Sequence, residues 1–190
     1  MPIAAVREGE VLSEDFEALF QAHGQLVFRT AYAITGHRQD AEDVLQSVFV
    51  KVLQQQGTPS RRSGRQGLAA AVRQQPARYL HRAAVNASLN VLRSRKRRRL
   101  VDGLDVQTIP ASPAEAREQD ERHERLTEAM ARLTPRALEI LMLRYQHDYT
   151  DVQIAELLGT SRGVIAVTLY RIRTRLRTLL DPIGSEGDRT

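Results

Sequence analysis

The 190-residue chain has no cysteine, which excludes a disulfide scaffold, a thiolate zinc site and a cysteine nucleophile. It has no tryptophan, and aromatic residues make up only 5%, a composition that disfavours a large apolar ligand pocket. The five histidines show no paired spacing, so neither a metal site nor a cofactor is expected. No nucleophile–base pairing and no glycine-rich phosphate loop is visible, which argues against an enzyme and against a small-molecule substrate. No apolar run approaches the ~20 residues needed to cross a bilayer. Met1–Glu10 lacks an apolar core of signal-peptide length, so a cytoplasmic location is expected. What is present is 42% hydrophobic residues, enough for a packed core rather than wholesale disorder. The length suits one ordinary domain or two small ones.

The most informative absence is of acid. Between Val44 and Val101 there is no Asp or Glu, while thirteen bases fall there: Lys51, Arg61, Arg62, Arg65, Arg73, Arg78, Arg82, Arg93, Arg95, Lys96, Arg97, Arg98 and Arg99. Acids lead on both flanks, eight to three over 1–43 and eight to four over 102–132. The formal charge of +5 therefore hides a strong segregation. A block of one sign repels itself and suits a polyanion, and nucleic acid is the usual one because each neutralised phosphate releases a counterion. A solvated basic face without a partner is the bland alternative. An anionic membrane surface fits less well, because the block lacks a Trp/Phe-rich apolar face.

Apolar periodicity predicts a helix over Ser13–Ile34, with Ser13 as N-cap, Gly36 as stop and a stripe of Phe16, Leu19, Phe20, Val27, Ala31 and Ile34. A second helix is expected from Asp40 to Gln55, with the stripe Ala41, Val44, Leu45, Val48, Phe49, Val52 and Leu53. Asp40, Glu42 and Asp43 occupy its first turn, where the helix dipole favours acids. Gly57–Gln75 opens as a loop. Pro76 introduces a third helix over 77–100, with Leu80, Ala84, Ala87, Val91 and Leu92 expected inside. Gly103, Pro110, Ser112 and Pro113 mark 102–114 as a linker. A charged helix over 114–133 follows, then one capped by Thr134 with Pro135 at its first position and Leu138, Leu141, Met142 and Tyr145 on its core face. No period-two strand pattern occurs. The fold class is all-α: two small helical domains, 1–101 and 115–190, joined by a flexible linker.

The C-terminal part has a helix-turn-helix pattern. Thr150 caps a short helix over Asp151–Leu158, Gly159 supplies the turn, and a second helix begins after Ser161 and runs to about Leu180. Ala155, Gly159 and Ile165 hold the small, left-handed and apolar positions that such a unit requires. The second helix of the unit normally enters the major groove, and Arg162, Arg171, Arg173, Arg175 and Arg177 are available to bases or phosphates. An αα-hairpin that merely packs is the bland reading.

At this point the chain resembles the sigma-70 family of bacterial RNA polymerase sigma factors, in its small extracytoplasmic-function (ECF) group. Phe16–Arg99 is similar to region 2 of that family, through Asp40-Ala-Glu-Asp-Val-Leu-Gln-Ser-Val-Phe49 and through Tyr79-Leu-His-Arg-Ala-Ala-Val-Asn-Ala-Ser-Leu-Asn-Val-Leu-Arg93. Leu133–Leu180 is similar to region 4, through Leu133-Thr-Pro-Arg136, Leu143-Arg-Tyr145, Ile154-Ala-Glu-Leu-Leu-Gly159 and Arg171-Ile-Arg173. The resemblance implies docking on the clamp of core RNA polymerase through Asp40, Glu42, Asp43, Gln46 and Phe49. It implies contact with the promoter −10 element through the loop arginines Arg61, Arg62 and Arg65 and through Tyr79, Arg82, Asn86, Asn90, Arg93, Arg95, Lys96 and Arg97. It implies contact of region 4 with the polymerase flap and, through Ser161, Arg162, Ala166, Thr168, Tyr170, Arg171, Arg173 and Arg175, with the −35 element of promoter DNA. An anti-sigma factor that clamps the two lobes is the further implied partner.

The second helix departs from the family pattern. Ala166 and Thr168 stand where Lys and Arg are usual, Val167 where Ser is, and Arg162 where Glu is, so fewer polar groups face base edges. Two other readings compete with a promoter-recognition and melting factor. One is a stand-alone helix-turn-helix regulator, against which the acidic helix at Asp40–Phe49 argues. The other is an adaptor that sequesters polymerase or an inhibitor, which only the altered second helix supports.

Overall fold

A computed structural model describes residues 4–56, 72, 74–102 and 114–180, with side chains placed for most of them. Arg61, Arg62 and Arg65, the side chain of Arg99 and nearly all of the expected linker lie outside the described residues. Among the described residues there are seven helices and no strand: α1 (Ala4–Thr35), α2 (Arg38–Gln56), α3 (Pro76–Asp102), α4 (Ala114–Ala131), α5 (Pro135–Tyr145), α6 (Asp151–Leu158) and α7 (Arg162–Leu180).

The first helix differs from the sequence expectation. It begins at Ala4, so Ser13 is an interior residue and not an N-cap. Residues 4–12 include Ala, Arg, Glu and Leu, good helix formers with only Gly9 strongly against, and a helix already nucleated extends through such a stretch. At the other end Gly36 takes φ +71°, a left-handed conformation that stops α1 without a Cβ clash. Gly36 serves a second purpose, because a Cβ there would clash with Nε2 of His123 on α4.

Helices α1, α2 and α3 enclose one core, built from Val27, Ala31, Ala41, Val44, Val48, Phe49, Val52, Leu80 and Ala84. The predicted 3–4 spacing of α2 is what turns these side chains to one side. Leu53, assigned to that stripe from the sequence, is 43% exposed instead. Phe49 meets the rings of Phe16 and Phe20 edge-on at centroid distances of 5.9 and 4.9 Å.

A second core joins the two halves of the chain. Val85, Leu89 and Leu92 of α3, with Ile34 of α1, pack against Met130, Leu133, Leu138, Leu141, Met142 and Ile172. Helix α3 is thus buried on two sides, of which apolar spacing points to the one through Leu80 and Ala84, with Leu92 alone from the other. Helix α5 is also buried on two sides: Leu138, Leu141 and Met142 face this shared core, while Ile140 and Leu143 face a third core with Ile154, Ala155, Leu158, Ile165 and Leu169. Tyr145, expected inside, is the last residue of α5 and is more than half exposed.

Caps define the C-terminal helices. Oγ1 of Thr134 accepts the Ala137 N–H at 3.2 Å, with Pro135 in the first turn. Thr150 and Gln153 form a capping box: Oγ1 of Thr150 accepts from Gln153 N, and Oε1 of Gln153 accepts from Thr150 N. Gly159 closes α6 at φ 63°, ψ 48°, and the Thr160 N–H returns to Ala155 O at 2.9 Å.

Candidate nucleic-acid interface

The outer face of α3 is a polar stripe. Arg82, Asn86, Asn90, Arg93 and Arg97 recur every three or four residues and are all exposed. This is the side left free when Leu80 and Ala84 turn to one core and Val85, Leu89 and Leu92 to the other. Lys96 and Arg98 are exposed beside the stripe, and Tyr79 lies half-buried at its start. The helix itself carries no acid before Asp102, and its stripe presents hydrogen-bonding amides between guanidinium groups. Such a surface can hold a phosphate backbone and accept bases on their polar edges.

Arg95 is not part of that surface. Its guanidinium pairs with the carboxylate of Asp40 in the first turn of α2 and reaches Thr35 O at 3.4 Å. One contact thus withdraws two expected site residues, Arg95 from the basic face and Asp40 from the acidic one. Glu42 accepts from Arg38 Nε at 2.8 Å, a bond and charge that raise the Arg38 pKa above its ordinary value. Asp43 and Gln46 are exposed on α2. Phe49, expected among the docking residues, is 3% exposed and packs instead of presenting a surface. Val50 and Leu53, nearly half exposed, continue the line of Asp43 and Gln46 at intervals of four and three. Sequence reasoning missed both as surface residues; the 43, 46, 50, 53 spacing carries the signal.

In the C-terminal unit the axes of α6 and α7 turn by 109° at the break between them, within the range of a helix-turn-helix. Ile165, Leu169 and Ile172 anchor α7 in the cores. Ser161, Arg162, Ala166, Tyr170, Arg171 and Arg173 are exposed, and Thr168 is half-buried. Arg175 is exposed but donates to Arg132 O at 3.1 Å, so its guanidinium already has a carbonyl partner on the body.

Polar contacts tie this unit to the N-terminal helices. Arg78 and Arg136 both donate to Leu158 O, at 3.2 and 3.3 Å, placing two cations at the C-terminus of α6, where the helix dipole favours them. Arg29 donates to Gln146 O at 3.2 Å, and Thr30 Oγ1 lies 2.8 Å from Nε2 of His147. His147 stands edge-on to His81, 5.4 Å between ring centroids. His81 is 1% exposed, and neither ring nitrogen has a hydrogen-bond partner among the described residues. Burial, and secondarily the nearby His147, lowers its pKa to about 3. Burial also lowers that of His147, Arg29 adding to the effect and Asp148 opposing it. Both rings are therefore neutral at pH 7 and pack as weakly polar surfaces.

No single helix among the described residues is long and apolar enough to cross a membrane. Comparison with known proteins places two stretches of the chain in one family. The family model described as Sigma-70 region 2 matches residues 19–65, and that described as Sigma-70, region 4 matches 123–176. The α3 stripe lies between the two matches. An RNA polymerase sigma-E factor of Streptomyces antibioticus is 28% identical over 176 residues, covering 92% of this chain and 88% of the relative. The ECF RNA polymerase sigma factor SigG of Mycobacterium tuberculosis is 25% identical, and the match spans 87% of this chain and 48% of that longer relative. Among solved structures, the sigma factor RpoE of Bartonella quintana, crystallised in complex with the anti-sigma factor NepR, has a similar fold: TM-score 0.50 at 20% identity, over 93% of this chain and 99% of that one. With two regions of one family matched in order along it, the chain belongs to the sigma-70 family of RNA polymerase sigma factors and resembles its ECF members.

Proposed function

We propose that the chain binds core RNA polymerase, directs it to specific promoters and helps to melt the −10 region. The observation that carries this reading is the pair of exposed surfaces on separate helices of one family fold: the amide and guanidinium stripe of α3 and the helix-turn-helix of α6 and α7. Melting needs bases held outside the stack. Asn86 and Asn90, flanked by Arg82, Arg93 and Arg97, supply polar groups for that purpose on the first surface. The second needs intact duplex, which a recognition helix grips in the major groove. Linking the two contacts through one chain and one polymerase adds avidity to each.

In this reading Asp43 and Gln46 on the free face of α2, extended by Val50 and Leu53, dock on the clamp, and the C-terminal unit meets the flap. The polymerase supplies the chemistry and the chain supplies recognition, with no cofactor of its own. Residues 1–101 act as region 2, 102–114 as linker and 115–190 as region 4. An anti-sigma factor completes the partner set, and the site of action is the cytoplasm.

Run-off transcription tests the proposal. The full chain and core polymerase are incubated with a library of promoter-like templates, with core polymerase alone as control. Discrete start sites that depend on the chain are expected. Core binding without chain-dependent starts would overturn promoter recognition in favour of an adaptor, and binding to duplex without core binding would favour a stand-alone regulator.

A further inference from the structure

The outward side of the first turns of the recognition helix is apolar, and its threonine hydroxyls donate to carbonyls of the helix itself. Ile165, Leu169 and Ile172 fix one side of α7 inside. At 3.6 residues per turn, the opposite side of its N-terminal turns carries Gly163, Val164, Val167, Tyr170 and Arg171. Val164 and Val167 are 53% and 50% exposed, and a Cβ added at Gly163 would meet nothing within 4 Å. Ser161 Oγ accepts from Val164 N at 3.4 Å, Thr168 Oγ1 donates to Val164 O at 2.7 Å, and Thr174 Oγ1 donates to Tyr170 O at 3.1 Å. Between Arg162 and Tyr170, therefore, the foremost side chains are two valines.

The chemistry of base edges then limits what this surface can read. In the major groove adenine, guanine and cytosine present hydrogen-bonding groups, and only thymine presents an exposed methyl beside its acceptor. A valine pressed on a polar edge strips water from a donor or acceptor and returns no bond, whereas a valine against a methyl removes apolar surface from water. The exposed guanidinium groups of Arg162, Arg171 and Arg173 surround the valines with positive charge, a rim that matches two lines of phosphate rather than an apolar protein surface.

We propose that Val164 and Val167 are specificity-determining residues that read thymine 5-methyl groups in the major groove of the upstream promoter element. The inference rests on the promoter-recognition reading and names the base chemistry that this helix selects.

The test uses the full chain assembled with core polymerase and a pool of random duplexes. Bound duplexes are selected and sequenced. The strongest is then remade with uracil for thymine in the upstream protected segment only, which removes the methyl and keeps every hydrogen-bonding group. Thymine-rich upstream segments are expected, with affinity falling about fourfold for each methyl taken from under a valine. Val167→Ala and Val164→Ala, both at exposed positions, should shrink that uracil penalty toward none while the assembly with core polymerase is retained. Equal affinity for thymine and uracil duplexes, with an upstream sequence preference intact, would overturn the valine reading and leave promoter recognition standing. Absence of any sequence preference along the duplex would overturn both. Variants that lose core polymerase and keep the uracil penalty would assign the valines to a protein contact and overturn the proposal.

Discussion

Helices α3 and α7 each turn one face to solvent, and the two faces have opposite chemistry. The α3 face alternates guanidinium groups with the amides of Asn86 and Asn90, while the α7 face centres on Val164 and Val167 inside a rim of arginines. Bases drawn out of a stack expose whole polar edges that amides can satisfy. Bases inside a duplex offer only groove edges, where a methyl is the sole apolar feature. The difference suits one surface to opened strands and the other to closed duplex. Both faces belong to one body, because the opposite sides of α3 and α7 meet the same core.

Breaking that common core gives the largest expected effect. Leu89→Ala empties a fully buried position between the two halves and should lower unfolding stability by about 2–5 kcal/mol, read by denaturant titration. Val167→Ala, on the exposed face, should stay within about 0.5 kcal/mol. A Leu89 variant as stable as the Val167 variant would mean that the halves do not share a core.

Acid should weaken the same junction. The His81 pKa in the fold, about 3, lies below its ordinary value of 6.5, so on acidification the unfolded chain takes up the proton first. The stability contribution is complete above pH 6.5 and is lost as pH falls toward 3, by at most about 1.4 kcal/mol per pH unit. His81→Leu, which also removes two ring nitrogens without partners among the described residues, should flatten this slope. An unchanged slope in the variant would assign the acid sensitivity to other groups.

The polar face can be probed next. Arg97→Ala combined with Arg98→Ala should reduce the salt dependence of promoter-complex formation by about 0.7 in log–log slope for each single-strand phosphate that is no longer neutralised. An unaltered slope would mean that neither side chain reaches a phosphate. Asn86→Ala should weaken formation of the open complex by roughly 1 kcal/mol and leave the initial closed complex unaffected. Equal permanganate reactivity of the bubble in variant and parent would remove Asn86 from base capture and make the α3 face a backbone grip only.

Legibility in the sequence followed the range of the interactions. The helix-turn-helix was legible to the residue because its signals are local: Thr150 and Gln153 cap α6 across three positions, and Gly159 takes its left-handed turn whatever surrounds it. The stripe of α2 as far as Val52 was legible because one amphipathic face points to one core, and the start of α5 because Thr134 caps it locally. The second buried sides of α3 and α5 were not, because period alone does not tell a helix between two layers from one on a surface. Among site residues, the resemblance named Arg82, Asn86, Asn90, Arg93 and Arg97, and the structure sets all five on one exposed face of α3. The resemblance could not foresee that Arg95 would turn to Asp40, that Arg175 would turn to Arg132 O, or that Phe49 would close a cluster with Phe16 and Phe20.

By itself, then, the sequence determined the helical class, the segregation of charge, the caps and turns from Thr134 onward, and the apolar character of the recognition face. Each depends on residues within a turn or two of one another. Tertiary structure alone decided which side of α3 is left for a ligand, which arginines are engaged, and that both halves bury a single core through Leu89 and Leu138. These outcomes depend on side chains far apart in the chain, whose meeting no local spacing encodes.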